Sequence, residues 1–359
     1  MRIGTVVVSF AAVCFAIAAT AATAQQIPAQ QIPAQQGQVP EGQVPQEQVP
    51  QTRLPQGQIA QGQIQESQIQ ESQIHVGPID AVLTMPPNVE RPPVALLIAG
   101  SGSTDHDGNG PKVKPATLKK LSEDLVARNI ATLRYDKRGA GGWKPVFGRP
   151  EDFRFKDYVD DAASLVNYLR SSGRFSHVII VGHSEGGLVA ILTAQRLPID
   201  RLVLLVTAAR RQGDLVKDEL QKKLPPDVYA PIASAIDAIM AGQTVDPPPR
   251  GLEIPPAMQP SIASAFTEDP IEPLKKINAP TLIVGGGRDL QVARVDFLAL
   301  STASPLAKTL WLPEMNHVLV DVGDDADDYA AYNQPARPLD PTMIDAVANF
   351  ILAGEPAGR

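Results

Sequence analysis

The chain has 359 residues, and its composition changes abruptly near residue 75, which predicts one folded domain of roughly 280 residues behind a long leader. A domain of this length buries a full core without disulfides or structural metals. The formal net charge is −7 and no basic stripe is visible, so no nucleic-acid partner is expected and the acidic balance favours solubility.

Residues 1–24 have the features of a secretory signal peptide. Met1-Arg2-Ile3 is a short basic start, an apolar run extends to Ala19, and Ala22-Thr23-Ala24 is a small-x-small cleavage site. We therefore predict cleavage after Ala24 and export to the periplasm or the medium. An uncleaved membrane anchor is the alternative, because the apolar run is nearly long enough to span a bilayer. The single cysteine, Cys14, lies in this segment, so the mature chain is expected to contain no disulfide.

Residues 25–74 form a low-complexity segment rich in glutamine and proline. From Val39 to Ile74 a branched aliphatic residue recurs every five positions, a period that fits neither a helix nor a strand. Prolines such as Pro40 and Pro45 remove backbone donors and favour extended chain. Because so few large apolar side chains are present, we predict a disordered spacer. A five-residue-repeat solenoid and a segment that binds the cell wall are the alternatives.

From residue 75 onward, short apolar runs alternate with amphipathic segments. After an antiparallel pair within about 75–84, the pattern predicts strands at 94–99, 130–135, 178–181, 202–207, 281–284 and 309–312, and helices at 116–129, 155–171 and 188–197. This alternation predicts an α/β fold with a mostly parallel sheet and helices on both faces.

Residues 210–275 interrupt the alternation between two of the predicted strands. They contain helical pieces at 213–223 and 231–241, joined by proline-rich chain. Because the insertion lies between two sheet strands, we predict a helical cap over the ligand-binding edge of the sheet. A helical decoration at the periphery is the alternative.

The motif Gly182-His183-Ser184-Glu185-Gly186 follows four β-branched residues and precedes an apolar helix. This order of strand, G-x-S-x-G and helix is the context of a nucleophile elbow, in which a sharp turn exposes the serine hydroxyl. We therefore predict Ser184 as a nucleophile. A glycine-rich turn with an idle serine is the alternative.

A serine hydroxyl needs a base to accept its proton and an acid to orient that base. Of the five histidines, His317 alone follows the last predicted strand in a loop that reaches the active edge of the sheet. His75 precedes the core of the sheet and His106 lies in a loop. His177 opens the nucleophile's strand at the end away from the serine, and His183 points away from the serine. We therefore predict His317 as the base.

The acid is expected between serine and histidine in the chain. Asp289 follows the strand at 281–284, which places its carboxylate at the same edge of the sheet. The rival carboxylates follow His317 and are expected to form a solvated acidic loop or a helix N-terminus: Asp321, Asp324, Asp325, Asp327 and Asp328.

Two backbone N–H groups are expected to form an oxyanion hole for the developing negative charge. One is the N–H of Glu185. The second comes from the loop Gly100-Ser101-Gly102-Ser103, where Ser101 is the first choice and Gly102 the next. Gly100 and Gly102 are also expected to contact the substrate. A plain tight turn is the alternative.

The sequence Asp105-His106-Asp107-Gly108-Asn109-Gly110 matches the first half of a calcium-binding loop. The twelfth position is Ala116 rather than glutamate, so we predict a hydrogen-bonded loop at the mouth of the site and no metal. The stretch from Arg134 to Gly141 also follows a strand, and we expect it to pack beneath the oxyanion loop with its charges paired.

With these residues the chain resembles the α/β-hydrolase superfamily over about 75–355. The Gly-Ser-Gly loop at 100–102 is similar to that of bacterial carboxylesterases of the dienelactone-hydrolase and prolyl-peptidase-like branch. This resemblance implies hydrolysis of carboxylic esters through an acyl-enzyme, without a metal or organic cofactor. The chain departs from the pattern where Gly142-Trp143 follows Arg-Gly-Ala-Gly.

We interpret the chain as an exported serine hydrolase acting on a small-molecule ester. A thioesterase and a peptidase or aminopeptidase with the same triad are the enzymatic alternatives, although export argues against coenzyme A thioesters. A catalytically idle binding protein whose repeat is the functional part is the alternative of another class. After cleavage we expect no stable membrane insertion, and contact of the repeat with the cell envelope stays open.

Overall fold

A computed structural model describes residues 8–9, 69–140 and 150–353 of the chain. Most of the predicted signal peptide, the repeat up to residue 68 and the segment around Trp143 lie outside the described residues. Within the described ranges, no helix is long and apolar enough to cross a membrane.

An eight-stranded sheet forms the centre of the domain. Its strands are β1 (Gln70–Val76), β2 (Ile79–Met85), β3 (Val94–Ile98), β4 (Ala131–Tyr135), β5 (Val178–His183), β6 (Arg201–Leu205), β7 (Thr281–Gly286) and β8 (Lys308–Leu312). They lie side by side in the order β1-β2-β4-β3-β5-β6-β7-β8. Only the β1–β2 and β2–β4 pairs are antiparallel, so the predicted mostly parallel sheet is confirmed.

Ten helices follow or join these strands in the described part of the chain. They are α1 (Thr117–Val126), α2 (Lys156–Ser171), α3 (Glu185–Arg196), α4 (Gln212–Lys223), α5 (Pro226–Met240), α6 (Gln259–Phe266), α7 (Ile271–Leu274), α8 (Arg294–Ala303), α9 (Asp325–Ala331) and α10 (Pro341–Leu352). Single 3₁₀ turns span Pro150–Asp152 and Pro256–Met258.

The central strands are buried on both faces, which is why they read as continuous apolar runs rather than as alternating ones. Every residue of β3 and β5 is buried. Leu96 packs on one face with residues of α2, α3 and α8, whereas Leu97 packs on the other face with residues of α1 and α10. Helices therefore cover both faces, and the carboxyl ends of the parallel strands share one edge.

The sheet begins earlier than the sequence pattern indicated. Residues 70–74, which we assigned to the repeat, form most of β1 and pair with β2 across a turn at Gly77 (φ 59°). The last repeat units lack the prolines of the earlier ones and keep their backbone donors, so they are able to join a sheet. The assignment of these five residues to a disordered spacer is therefore wrong.

Helices α4 to α7 lie between β6 and β7, in the insertion predicted at 210–275. Three of them, with Leu252 and Ile254, share a core of their own, which is separate from the two cores that flank the sheet. The second predicted piece starts in the wrong place, because α5 begins at Pro226 and contains Pro231. Proline in the first turn forfeits no helical hydrogen bond. The single bond lost at Pro231 is offset by buried side chains such as Ile232 and Ile236.

A second, very small sheet joins Leu252–Glu253 of this insertion to Val8–Ser9 in parallel register. It is separate from the central sheet.

Candidate active site

Ser184 lies on the sharp turn between β5 and α3. Its backbone angles are φ 56° and ψ −122°, a region that side chains other than glycine seldom adopt. The turn needs small neighbours, because a Cβ atom on Gly182 would lie 2.4 Å from the carbonyl oxygen of Gly186. A Cβ atom on Gly186 would lie 2.2 Å from the carbonyl oxygen of Ile98. The G-x-S-x-G spacing thus brings β5, α3 and the end of β3 together around the serine.

His317 and Asp289 are brought together at the same edge of the sheet. The Nδ1 atom of His317 lies 2.8 Å from Oδ2 of Asp289, and the two side chains are 7% and 0% exposed. The other carboxylate oxygen of Asp289 accepts hydrogen bonds from the N–H groups of Gln291 (2.7 Å) and Val292 (2.9 Å). The carboxylate is therefore fixed on one side and orients the imidazole on the other.

A buried asparagine holds the loop that carries His317. The side-chain oxygen of Asn316 accepts hydrogen bonds from the N–H groups of Val318 and Val320, both at 3.1 Å. Its amide nitrogen donates to Asp328 at 2.8 Å. Asn316 is fully buried, so its hydrogen bonds are not exchanged with water and hold the loop around the imidazole.

His183 supports the same loop from below. Its Nε2 atom lies 2.7 Å from the carbonyl oxygen of His317, so this nitrogen carries the proton and donates it. Burial, together with the nearby His317 ring, lowers the pKa of His183 to about 4. The side chain is therefore neutral at pH 7. No sequence pattern predicts this role, because adjacency to Ser184 says nothing about a contact with a residue 134 positions away.

The predicted oxyanion loop lies against the elbow. A Cβ atom on Gly100 would be 3.3 Å from Cβ of Ser184, so the loop passes too close to the serine for a larger residue to fit easily at this position. The N–H of Glu185 is the first of α3 and has no partner one turn earlier in the helix. Gly102 has φ 86° and its carbonyl accepts a hydrogen bond from the N–H of Thr104, which closes the loop.

Lys137 fixes the direction of that loop. Its fully buried Nζ atom donates to the carbonyl oxygen of Gly100 at 2.8 Å and to Oε1 of Glu185 at 2.7 Å. It also lies 4.1 Å from the centre of the Tyr158 ring. Because the C=O of one residue and the N–H of the next point in opposite directions in a trans peptide, holding the Gly100 carbonyl also sets the direction of the Ser101 N–H. The predicted packing beneath the oxyanion loop is observed here.

The polar groups of the loop at 105–110 bond to one another and to neighbouring residues of the domain. One carboxylate oxygen of Asp105 accepts the N–H groups of Asp107 (3.1 Å) and Asn109 (2.8 Å). Asp136 accepts both the N–H and Nδ1 of His106 at 2.7 Å, and this partner raises the pKa of His106. Among the described residues, no group of three or more His, Cys, Asp or Glu side chains is arranged to hold a metal ion.

Two cavities meet at Ser184. The smaller has a volume of about 70 Å³ and contacts His317 and the loop that follows Ser101. The larger, about 530 Å³, extends from Ser184 and Glu185 beneath α4. The insertion between β6 and β7 thus covers one side of the serine, as expected of a cap.

Comparison with known proteins gives a consistent set of relatives. A family model described as "Serine aminopeptidase, S33" matches residues 115–236. Esterase EstD of Thermotoga maritima is 24% identical over 276 residues, which cover 75% of this chain and 64% of EstD. Protein phosphatase methylesterase 1 of Candida glabrata is 27% identical over 173 residues, 43% of this chain and 42% of that protein. The chain therefore spans less than two thirds of either relative.

Solved structures resemble the domain over most of its length. Est1E from Butyrivibrio proteoclasticus with bound ferulic acid has a TM-score of 0.52 and 21% identity, covering 78% of this chain and 98% of Est1E. Proline iminopeptidase from Mycobacterium smegmatis has a TM-score of 0.52 and 15% identity, covering 79% of this chain and 97% of that one. Likeness at these identities shows a shared fold.

Proposed function

We infer from these matches that the chain is an α/β hydrolase, as its motifs predicted, and we propose that it cleaves carboxylic esters through an acyl-enzyme on Ser184. The observation that supports this most is the buried 2.8 Å pair of His317 and Asp289 at the sheet edge that carries the strained Ser184. A neutral imidazole held in one tautomer by a carboxylate is what a serine nucleophile requires. The esterase among its sequence relatives supports the same reading.

In the acylation half-reaction, the Oγ atom of Ser184 forms a bond to the ester carbonyl carbon while its proton passes to Nε2 of His317. Asp289 keeps Nδ1 protonated and stabilises the imidazolium ion that forms. The carbonyl oxygen becomes an oxyanion, which accepts hydrogen bonds from the N–H groups of Glu185 and Ser101. Collapse of this intermediate breaks the bond to the alcohol oxygen, and that oxygen takes the proton from His317.

In the deacylation half-reaction, a water molecule gives a proton to His317 and its oxygen bonds to the acyl carbon. The second oxyanion is held by the same two amides. When it collapses, the bond to Ser184 breaks, Oγ regains the proton from His317, and the carboxylic acid leaves. The chain of proton transfers returns every group to its starting state without a redox step.

Aminopeptidase activity is the second candidate, because the matching family model carries that description. An aminopeptidase needs an anionic group to receive the substrate's terminal ammonium. In the cleft beside Ser184, the carboxylate of Glu185 is paired with Lys137, that of Asp218 with Arg210 and that of Glu219 with Lys223. These three carboxylates already have cationic partners, so Asp325, an exposed carboxylate that also lines the cleft, is the group to which a substrate ammonium would bind in the peptidase alternative.

Export belongs to the proposal as well, and it rests on the signal-peptide features of residues 1–24. An enzyme outside the cytoplasm meets esters and peptides rather than coenzyme A thioesters. Extracellular or periplasmic location is tested by N-terminal sequencing of the protein recovered from culture fluid and envelope fractions.

The activity is tested by comparing hydrolysis of simple alkyl esters with hydrolysis of aminoacyl amides. We expect turnover of the esters, and a loss of roughly 10⁴-fold or more in kcat for Ser184→Ala and His317→Ala. Ser164→Ala, a hydroxyl deletion on the exposed face of α2, is the matched control. Equal or faster turnover of the amides would replace the esterase proposal by the peptidase one.

A further inference from the structure

The two cavities that meet at Ser184 differ in size more than sevenfold, at about 70 and 530 Å³. Ser184 and Ser101 line both of them. A tetrahedral intermediate on Ser184 carries one acyl group and one alkoxy group, so each of these groups enters one cavity. Which group enters which cavity decides the class of ester that the site accepts.

The smaller cavity lies on the side of the candidate base. Its lining includes His317 and Val318 from the histidine loop, together with Thr104, Val113 and Thr117 from the chain that follows the oxyanion loop. Val113 and Thr117 are buried, so the packing around their side chains limits how far this cavity can widen. A leaving alcohol that occupies this cavity therefore lies beside the imidazole of His317.

The larger cavity lies beneath the cap. Its apolar lining includes Leu188, one turn after Ser184 in α3, together with Leu215 and Val216 of α4 and Val292. Its outer end reaches the exposed Lys222 and so opens toward solvent. His317 is not among the residues that line this cleft.

We propose that the acyl group of the substrate occupies the cleft beneath the cap and that the alcohol occupies the small cavity beside His317. This assignment rests on the proposed function, because it uses His317 as the acid that protonates the leaving alcohol. The alkoxy oxygen must lie within hydrogen-bond reach of the imidazole when its bond to carbon breaks. Of the two cavities, the small one is the one that His317 lines.

The volumes then define the substrate class. A water-sized group needs at least about 10–15 Å³ of cavity and takes up about 30 Å³ in a liquid, so 70 Å³ holds about two to seven heavy atoms. The alcohol is therefore short, in the range from methanol to butanol. The cleft of about 530 Å³ lies within the range of sites for much larger ligands and has an apolar wall near the serine, so it accepts a long or ring-containing acyl group.

The experiment compares two isomeric esters, methyl octanoate and heptyl acetate, which contain the same atoms with the ester group reversed. We expect kcat/KM for methyl octanoate to exceed that for heptyl acetate by at least about tenfold, because several methylenes are refused by the small cavity. A preference for heptyl acetate, or equal values, would overturn the assignment. If the enzyme hydrolyses neither of these esters, and no other alkyl ester, then the proposed function itself is overturned.

Two variants test the role of each cavity separately. Val113→Ala enlarges the small one, so the ratio of kcat/KM for butyl over methyl octanoate should rise severalfold while the acyl-length preference stays the same. Leu215→Trp narrows the cleft, so the ratio for methyl octanoate over methyl butyrate should fall severalfold while the alcohol-length preference stays the same. Thermal melting confirms that both variants are folded. The reverse pattern, in which Val113→Ala alters acyl preference and Leu215→Trp alters alcohol preference, would overturn the proposal.

Discussion

Replacing Lys137 by methionine tests whether a buried cation positions the oxyanion loop. Methionine has a similar length and places a methyl group where Nζ lies over the Tyr158 ring, but it cannot donate to the Gly100 carbonyl or neutralise Glu185. The change therefore frees the peptide unit that carries the Ser101 N–H. It also leaves the 11% exposed carboxylate of Glu185 with no charged partner.

The size of the effect follows from these two losses. Removing one member of a buried ion pair costs about 3–5 kcal/mol of stability. At roughly 2–4 °C per kcal/mol for a domain of this size, Tm falls by about 6–20 °C. Misdirecting one oxyanion donor lowers kcat by up to about 10²–10³-fold, while KM changes little because the donor acts on the transition state.

The assay combines thermal melting with steady-state ester hydrolysis on Lys137→Met and on the double variant Lys137→Met/Glu185→Gln. The double variant removes the uncompensated carboxylate, so Tm should recover by at least half while kcat stays low. Lys156→Met, the same substitution at an exposed ion pair, is the control and should leave both quantities unchanged. Wild-type kcat in the stabilised double variant would refute the positioning role of Lys137.

Three further predictions follow from contacts around the site. Because burial lowers the pKa of His183 from 6.5 to about 4, the unfolded chain binds the extra proton first as pH falls, and stability should drop by about 3 kcal/mol between pH 6.5 and 4. Urea unfolding across this range should show the slope in the wild type and in His75→Gln but not in His183→Gln; equal slopes in all three would contradict the assignment. A Cβ atom on Gly187 would lie 2.0 Å from Oγ1 of Thr207, so Gly187→Ala should lower Tm strongly and Thr207→Ala should restore part of the loss. The absence of any rescue would mean that backbone strain, not this clash, causes the loss. Asn316→Ala leaves two buried N–H groups without an acceptor, and we expect roughly 2–4 kcal/mol lower stability by urea unfolding, an expectation that a change below about 1 kcal/mol would exclude.

The sheet was predictable because its signal is local. Four β-branched residues before Gly182 and the apolar run at 94–98 are buried on both faces, so composition alone marked them as strands. The same rule placed Ser184, Asp289 and His317 after three different strands, and parallel strands end at one edge of a sheet. That is why Asp289 and His317 were expected at the edge that carries Ser184, although Ser184 lies far before both in sequence. Asp289 and His317 are observed in contact, 28 positions apart.

The supporting contacts were not predictable, because they join residues through side chains rather than through pattern. His183 contacts the carbonyl oxygen of His317 and Lys137 contacts that of Gly100, across 134 and 37 residues. No helical or strand periodicity relates residues at such separations. The early start of β1 was missed because its residues repeat the unit of the preceding segment, and only the loss of proline distinguishes them. The start of α5 cannot be predicted by ending the helix at proline, because packing of the apolar face outweighs the one hydrogen bond lost at Pro231.

Covalent labelling with an alkyl fluorophosphonate tests the central claim most directly, because this probe reacts with a serine only when a base activates the hydroxyl and an oxyanion hole receives the phosphoryl oxygen. Intact-mass and peptide mass spectrometry measure how many labels attach and where. We expect one label, located on Ser184 and lost in Ser184→Ala, with labelling slowed strongly in His317→Ala. A folded protein that remains unlabelled, or that is labelled at another residue, would contradict the assignment of Ser184 as the nucleophile.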